Sequence, residues 1–181
     1  KMACDFITTG RAEPCKDSVG GIKAVYFVDG VTVVTYNSTD EDVIDAVTPA
    51  TSAYKYEVRG ASTYTETVTS SRENGTTYFE QVLELQLPKL SKEEHKAIKL
   101  LSYGHPPILI EDNNGYVFVA GLEYGLDVTG GTIATGAAMG DASGYTLTFT
   151  GMEKIPANFL AEAVVGNTAE ENILAAGFTI L

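Results

Sequence analysis

The chain has no tryptophan, two cysteines, two histidines, and 12 basic residues against 24 acidic ones. Each shortage excludes a class of function. The net charge of −12 argues against gripping nucleic acid, because binding by counterion release needs the opposite sign. An acidic surface can still face DNA without holding it. The histidines are His95 and His105, and no cysteine or carboxylate stands at metal-ligand spacing from either. No metal site is therefore expected. There is no GxSxG elbow, and no serine lies beside an obvious base. Gly130-Gly131 and the stretch from Gly136 to Gly140 lack the Gly-Lys-Ser/Thr of a phosphate loop. Asp141-Ala142-Ser143-Gly144 lacks the remaining ligand positions of a calcium loop. The expectation is no catalytic residue, no cofactor and no enzyme activity.

No apolar run reaches the ~18 residues a membrane-spanning helix needs, so no membrane partner is expected. The opening residues carry no apolar core of a signal peptide. That points to a reducing compartment, with Cys4 and Cys15 as free thiols.

What is present is β-rich. The 181 residues suit one domain with its own core, and 44% are hydrophobic. Threonine, valine and tyrosine are abundant, which favours strands. The central stretch, residues 61–87, alternates on both sides of Asn74-Gly75, a strong signal for a two-residue hairpin turn. With that turn, Thr69 faces Glu80, Thr67 faces Val82, Thr65 faces Glu84 and Thr63 faces Gln86. Side chains alternate along a strand, so all eight share one polar face. The opposite face holds Tyr64, Val68, Leu83, Leu85 and Leu87, with Glu66 and Gln81 nearer the tip. One face belongs to a core and the other meets water or a partner.

Residues 22–28 and 31–36 read as a second hairpin turning at Asp29-Gly30. Residues 37–50 are acidic and irregular, with one helical turn expected after Thr39. Residues 53–59 alternate as a strand. Ser91 and Glu94 have capping-box spacing, which predicts a helix over 91–103, with Gly104 at its C-cap. Residues 107–111 and 116–121 pair around Asp112-Asn113-Asn114-Gly115, and 122–133 continue as a strand. Residues 134–143 form a small-residue loop. In 144–153 Tyr145, Leu147 and Phe149 alternate with threonines. A helical turn is expected over Pro156–Leu160. Residues 1–20 and 161–181 read as N- and C-terminal arms making subunit contacts.

The polar-faced hairpin, then SKEEHKAIKLL, then PPILIEDNNGYVFVAGLEYGLDVTGG, then GDASGYTLTFTGMEKIPANFL resembles tail tube proteins of tailed bacteriophages. The resemblance covers residues 53–160 and is clearest in the β run ending TGMEKIPA. It implies a single mainly β domain, an antiparallel sandwich or barrel with a flanking helix, as in the tube protein of type VI secretion systems. It further implies a virion protein, made in the host cytoplasm, that forms stacked hexameric rings with other tail proteins. DNA then passes through the channel without specific binding.

The residues argue the same way independently. A channel wall should not attract phosphate, so threonines and acids suit it. Thr63, Thr65, Thr67, Thr69, Glu80, Glu84 and Gln86 are the expected channel-lining residues. A long hairpin exposes edges, and neighbours joining their sheets into a ring would remove them. Two other readings remain open: another virion β protein (head-decoration, connector or tail-terminator), or a monomeric sandwich binding carbohydrate. The missing tryptophan weakens the last and the ten tyrosines keep it open.

Overall fold

The computed structural model describes residues 10–13, 15–30, 33–40, 42–58, 60–162 and 166–181. β1 (Ile22–Val28), β2 (Val33–Tyr36), β3 (Val43–Thr48) and β4 (Thr51–Glu57) precede the long hairpin of β5 (Thr63–Ser71) and β6 (Thr76–Pro88). Helix α1 (Lys92–Leu101) follows, then β7 (Ile108–Asp112) and β8 (Val117–Ala120). The order ends with β9 (Asp127–Ala134), β10 (Gly144–Glu153), β11 (Asn158–Leu160), α2 (Ala169–Ala175) and β12 (Phe178–Ile180).

The strands make an eight-stranded sheet, ordered β12-β4-β1-β7-β8-β11-β3-β2, and a four-stranded sheet, ordered β5-β6-β10-β9. Pairing is antiparallel except for β11 with β3 and β12 with β4. The chain is thus mainly β, as its alternation implies, and sandwich- or barrel-like, as the resemblance implies. The apolar run of β1 lies inside the larger sheet because apolar side chains leave both of its faces. Val25 and Phe27, with Ile108 and Ile110, meet Leu83, Leu85, Leu87, Tyr145, Leu147 and Phe149 of the smaller sheet. Ala24, Tyr26, Val28 and Leu109 go the other way, to Ile44, Val47, Ile173 and Phe178. Burying each such large side chain contributes about 1.5–3 kcal/mol.

Helix α1 begins where its cap requires: the Glu94 N–H donates to Ser91 Oγ at 3.1 Å. Ile98 is its buried residue. The C-cap is Ser102 rather than Gly104; the Ser102 N–H and hydroxyl both reach the Ile98 carbonyl. The segment before β9 lies close over β10, and it can do so only at glycine. A Cβ on Gly151 would stand 2.7 Å from the Gly125 carbonyl oxygen. That approach lets Leu126 reach the core.

Several expectations fail, each for a local reason. The hairpin closes at Ser71–Thr76 with a four-residue loop, so Thr63 faces Glu84, Thr65 faces Val82 and Thr67 faces Glu80. A type I′ turn needs positive φ at both central residues, and here Gly75 has it while Asn74 does not. The Asn74 N–H instead donates to Ser71 Oγ. The slip is two residues, so every side chain keeps its face.

Asp29-Gly30 does not close a hairpin: β1 pairs with β4 and β7, while β2 pairs with β3 at the far edge. The helical turn expected after Thr39 includes Glu41, which lies outside the described residues; the chain enters β3 at Val43, where a bulge at Asp45 brings Ile44 and Val47, three residues apart, both into the core. Pro156–Leu160 is not helical but leads into β11, where Asn158 and Leu160 are buried.

The segment expected as a C-terminal arm is core instead. Ile173 is 0% and Phe178 3% exposed, and β12 extends the sheet beside β4. Of the expected N-terminal arm, residues 1–9 and 14, including Cys4, lie outside the described residues. Cys15 is an exposed free thiol. The arm's end is fixed by Asn114, whose side chain accepts from the Val19 N–H and donates to its carbonyl.

Candidate functional site

The four-stranded sheet carries the candidate surface on the face away from the leucines. β5 supplies Thr63, Thr65, Thr67 and Thr69, all exposed. β6 supplies Glu84, exposed, with Glu80, Val82 and Gln86 half-buried. All seven residues expected from the sequence therefore share one face. β10 adds Thr146, Thr148, Thr150 and Met152, and β9 adds Asp127, Gly130 and Thr132.

Rows across the sheet read Gln86–Thr146–Thr132, then Thr63–Glu84–Thr148–Gly130, then Thr65–Val82–Thr150–Asp127, then Thr67–Glu80–Met152. A bulge at Thr148/Phe149 brings Thr129 onto the same surface. Its Oγ1 lies 2.9 Å from Thr150 Oγ1. The charged residues in these rows are Glu80, Glu84 and Asp127, all acidic. Across the strip, neutral hydroxyls alternate with carboxylates, and no row contains a lysine or arginine. Such a surface holds water and repels phosphate. At its margin His105 Nδ1 stands 3.8 Å from Asp127 Oδ1, both exposed.

The sequence singled out the β5–β6 half of this surface and missed the β9–β10 half. The signal was the threonine alternation in 144–153. What joins it to the hairpin is the β6–β10 pairing, between strands about 60 residues apart, which no local pattern encodes.

A second set of polar residues went unread. On the core side of the same sheet lies a row of Glu66, Gln81 and Gly151. Gln81 Oε1 accepts from the Gly121 N–H at 2.8 Å, and Glu66 Oε1 from the Ala157 N–H at 3.1 Å. One row further, buried Glu153 accepts from the N–H groups of Glu123 and Tyr124 at 3.1 and 2.9 Å. Burial raises the Glu153 carboxyl above the ordinary carboxylate range, against the pull of those two donors. These groups tie the loops at 121–125 and 156–158 to the sheet. Buried Glu111 is likewise spent on structure, bonding Lys23 Nζ and, at 2.8 Å, Tyr26 Oη.

Among the described residues no group of three or more His, Cys, Asp or Glu is gathered to hold a metal. No helix of the described residues is long and apolar enough to cross a membrane. No family model matches the chain, and neither does any curated protein or solved structure.

Among the described residues the edges of this sheet are open on both sides: β5 is bonded only to β6, and β9 only to β10. Both edge strands also carry apolar side chains on the core side that stay more than half exposed. Val68 of β5 is 59% exposed and Ile133 of β9 is 51% exposed.

Proposed function

We propose that this chain is a structural subunit of a phage-type tail tube, in which copies join into stacked rings and the threonine–glutamate face lines a DNA-conducting channel. One observation carries the reading. Among the described residues the four-stranded sheet has a core face, a face rich in hydroxyls and acids with no basic residue in its rows, and two unpaired edges with half-exposed apolar residues beside them. Native proteins seldom leave a strand nine residues long open at an edge. Copies joined edge to edge remove both openings at once. In a hexamer the wall would hold 24 strands, four from each subunit; ~16–18 strands already enclose an aqueous lumen.

The wall is suited to passage. Threonine hydroxyls hydrogen-bond water, and carboxylates repel phosphate, so DNA meets no adhesive surface. The resemblance in residues 53–160 supports the same assignment and implies a virion protein that works alongside other tail proteins.

Negative-stain microscopy of the purified protein tests this. Rings or tubes with an open bore are expected. Isolated rings that never stack would favour a connector, terminator or decoration protein, and stable monomers a binding module.

A further inference from the structure

The two open edges of the four-stranded sheet are complementary in direction, length and side-chain order. Strands alternate in direction across β5-β6-β10-β9, so β9 runs opposite to β5. Placing β9 of one copy beside β5 of the next therefore continues an antiparallel sheet. Their lengths match at eight and nine residues. The edges are also staggered. Ala134 lies in the row of Gly144 and Pro88, whereas Thr63 lies in the row of Glu84 and Thr148, four residues earlier in β6.

We propose that β5 pairs antiparallel with β9 of a second copy of this chain, with Tyr64 opposite Ile133, Glu66 opposite Gly131 and Val68 opposite Val128. This rests on the ring reading above and names the joint that closes it.

Three constraints select that register. Faces must continue across the joint, so the offset between neighbouring subunits is an even number of residues. An offset of two leaves the end of β9 unpaired. Offsets of four and six both pair it fully.

Side chains decide between these. At four, the half-exposed Ile133 packs on Tyr64 and the half-exposed Val68 on Val128, while Gly131 leaves room for Glu66. On the other face Thr132 meets Thr65 and Gly130 meets Thr67. At six, Ile133 would lie against the Glu66 carboxylate and Val128 against Ser70.

Barrel geometry agrees independently. Four residues of ~3.4 Å gained across four strands of ~4.8 Å set the strands about 35° from the axis. Closed barrels tilt by about 35–45°, and an eight-stranded barrel with a shear of eight tilts by about 36°. An offset of two would give only about 20°.

Engineered cysteines read the register directly. In a Cys4→Ala, Cys15→Ala background, Thr132→Cys is combined in turn with Thr63→Cys, Thr65→Cys and Thr67→Cys. These pairs report offsets of two, four and six. Opposed Cβ atoms lie ~4.5–5.5 Å apart, near enough for a disulfide after a small adjustment.

On mild oxidation of assembled protein, Thr65→Cys/Thr132→Cys should give a non-reducing ladder of multimers at least tenfold stronger than the other two pairs. A dominant ladder from another pair overturns the register. Rings in the micrograph with no ladder from any pair overturn the joint and leave the ring reading standing. Monomers throughout overturn both. Hydrogen exchange on the unmodified protein guards against variants that fail to assemble. Alternate amides of β5 and β9 should slow at least tenfold on assembly, and unchanged exchange there overturns the joint.

Discussion

At the scale of single residues, the parity of the hairpin was legible and its exact register was not. Alternation put the threonines, Glu80 and Glu84 on one face and the leucines on the other, and a two-residue slip leaves that division intact. The slip itself depended on a φ angle at Asn74, which composition does not reveal. If the acids keep the wall non-adhesive, Glu80→Lys with Glu84→Lys should leave the fold nearly unchanged, the change at exposed Glu84 costing within about 0.5 kcal/mol and that at half-buried Glu80 about 1 kcal/mol. Assembled particles should then retain duplex DNA in a filter assay at low salt and release it as salt rises. Particles of the double variant that retain no more DNA than the unmodified ones would count against a channel role.

Glu153 offers a prediction of a different kind. Its carboxyl is raised by burial, so between the ordinary carboxylate pKa and the raised one the folded chain keeps a proton that the unfolded chain has lost. Stability falls as pH rises through that window, and the loss is complete above the folded pKa. Glu153→Gln carries no such loss and can still accept from the Glu123 and Tyr124 N–H groups. The variant should gain stability relative to the unmodified protein as pH rises from the ordinary carboxylate pKa through the raised one, read from urea midpoints at each pH. A difference that does not change with pH would show that the carboxylate pays no burial cost.

At the scale of elements, strands with clear period-two patterns and the capped helix α1 were readable, while short elements in mixed sequence were not. β3 was hidden because the run of acids just before it suits a helix start, and because the bulge at Asp45 breaks its alternation. α2 was hidden by length, at seven residues. Yet Thr168 and Glu171 carry the same capping-box spacing that revealed α1, and both of its hydrogen bonds are made. That signal could have shown that the C-terminal segment folds back. The consequence is measurable. Ile173→Ala should cost about 2–5 kcal/mol in urea denaturation, and a chain ending at Glu162 should lose its cooperative transition altogether. Normal folding of that shortened chain, with a defect confined to assembly, would restore the view of this segment as an arm.

At the scale of the whole molecule, the β-rich character followed from composition and the sandwich-like architecture from the resemblance, but strand order followed from neither. β6 with β10 and β4 with β12 are pairings between distant segments, settled by which faces can be buried together. Assembly must also contend with charge. Each copy brings a net charge of −12, and the proposed ring would gather Glu80, Glu84 and Asp127 around one bore. Raising ionic strength from about 0.1 M to 1 M shortens the screening length from about 10 Å to about 3 Å. The ring fraction in sedimentation velocity should therefore grow with salt. A fraction that falls would mean that attractive ion pairs, rather than sheet edges and apolar contacts, hold the copies together.

The parity of the β5–β6 hairpin also bears on how such a chain can drift over generations. Inserting or losing one residue inside either strand turns part of the leucine row towards solvent and part of the threonine row into the core. Changing by two slides the strand past its partner by one full pleat and leaves both faces in place. Lineages descended from this chain should accordingly differ in hairpin strand length by even steps, with odd steps surviving only beside a bulge like the one at Thr148/Phe149.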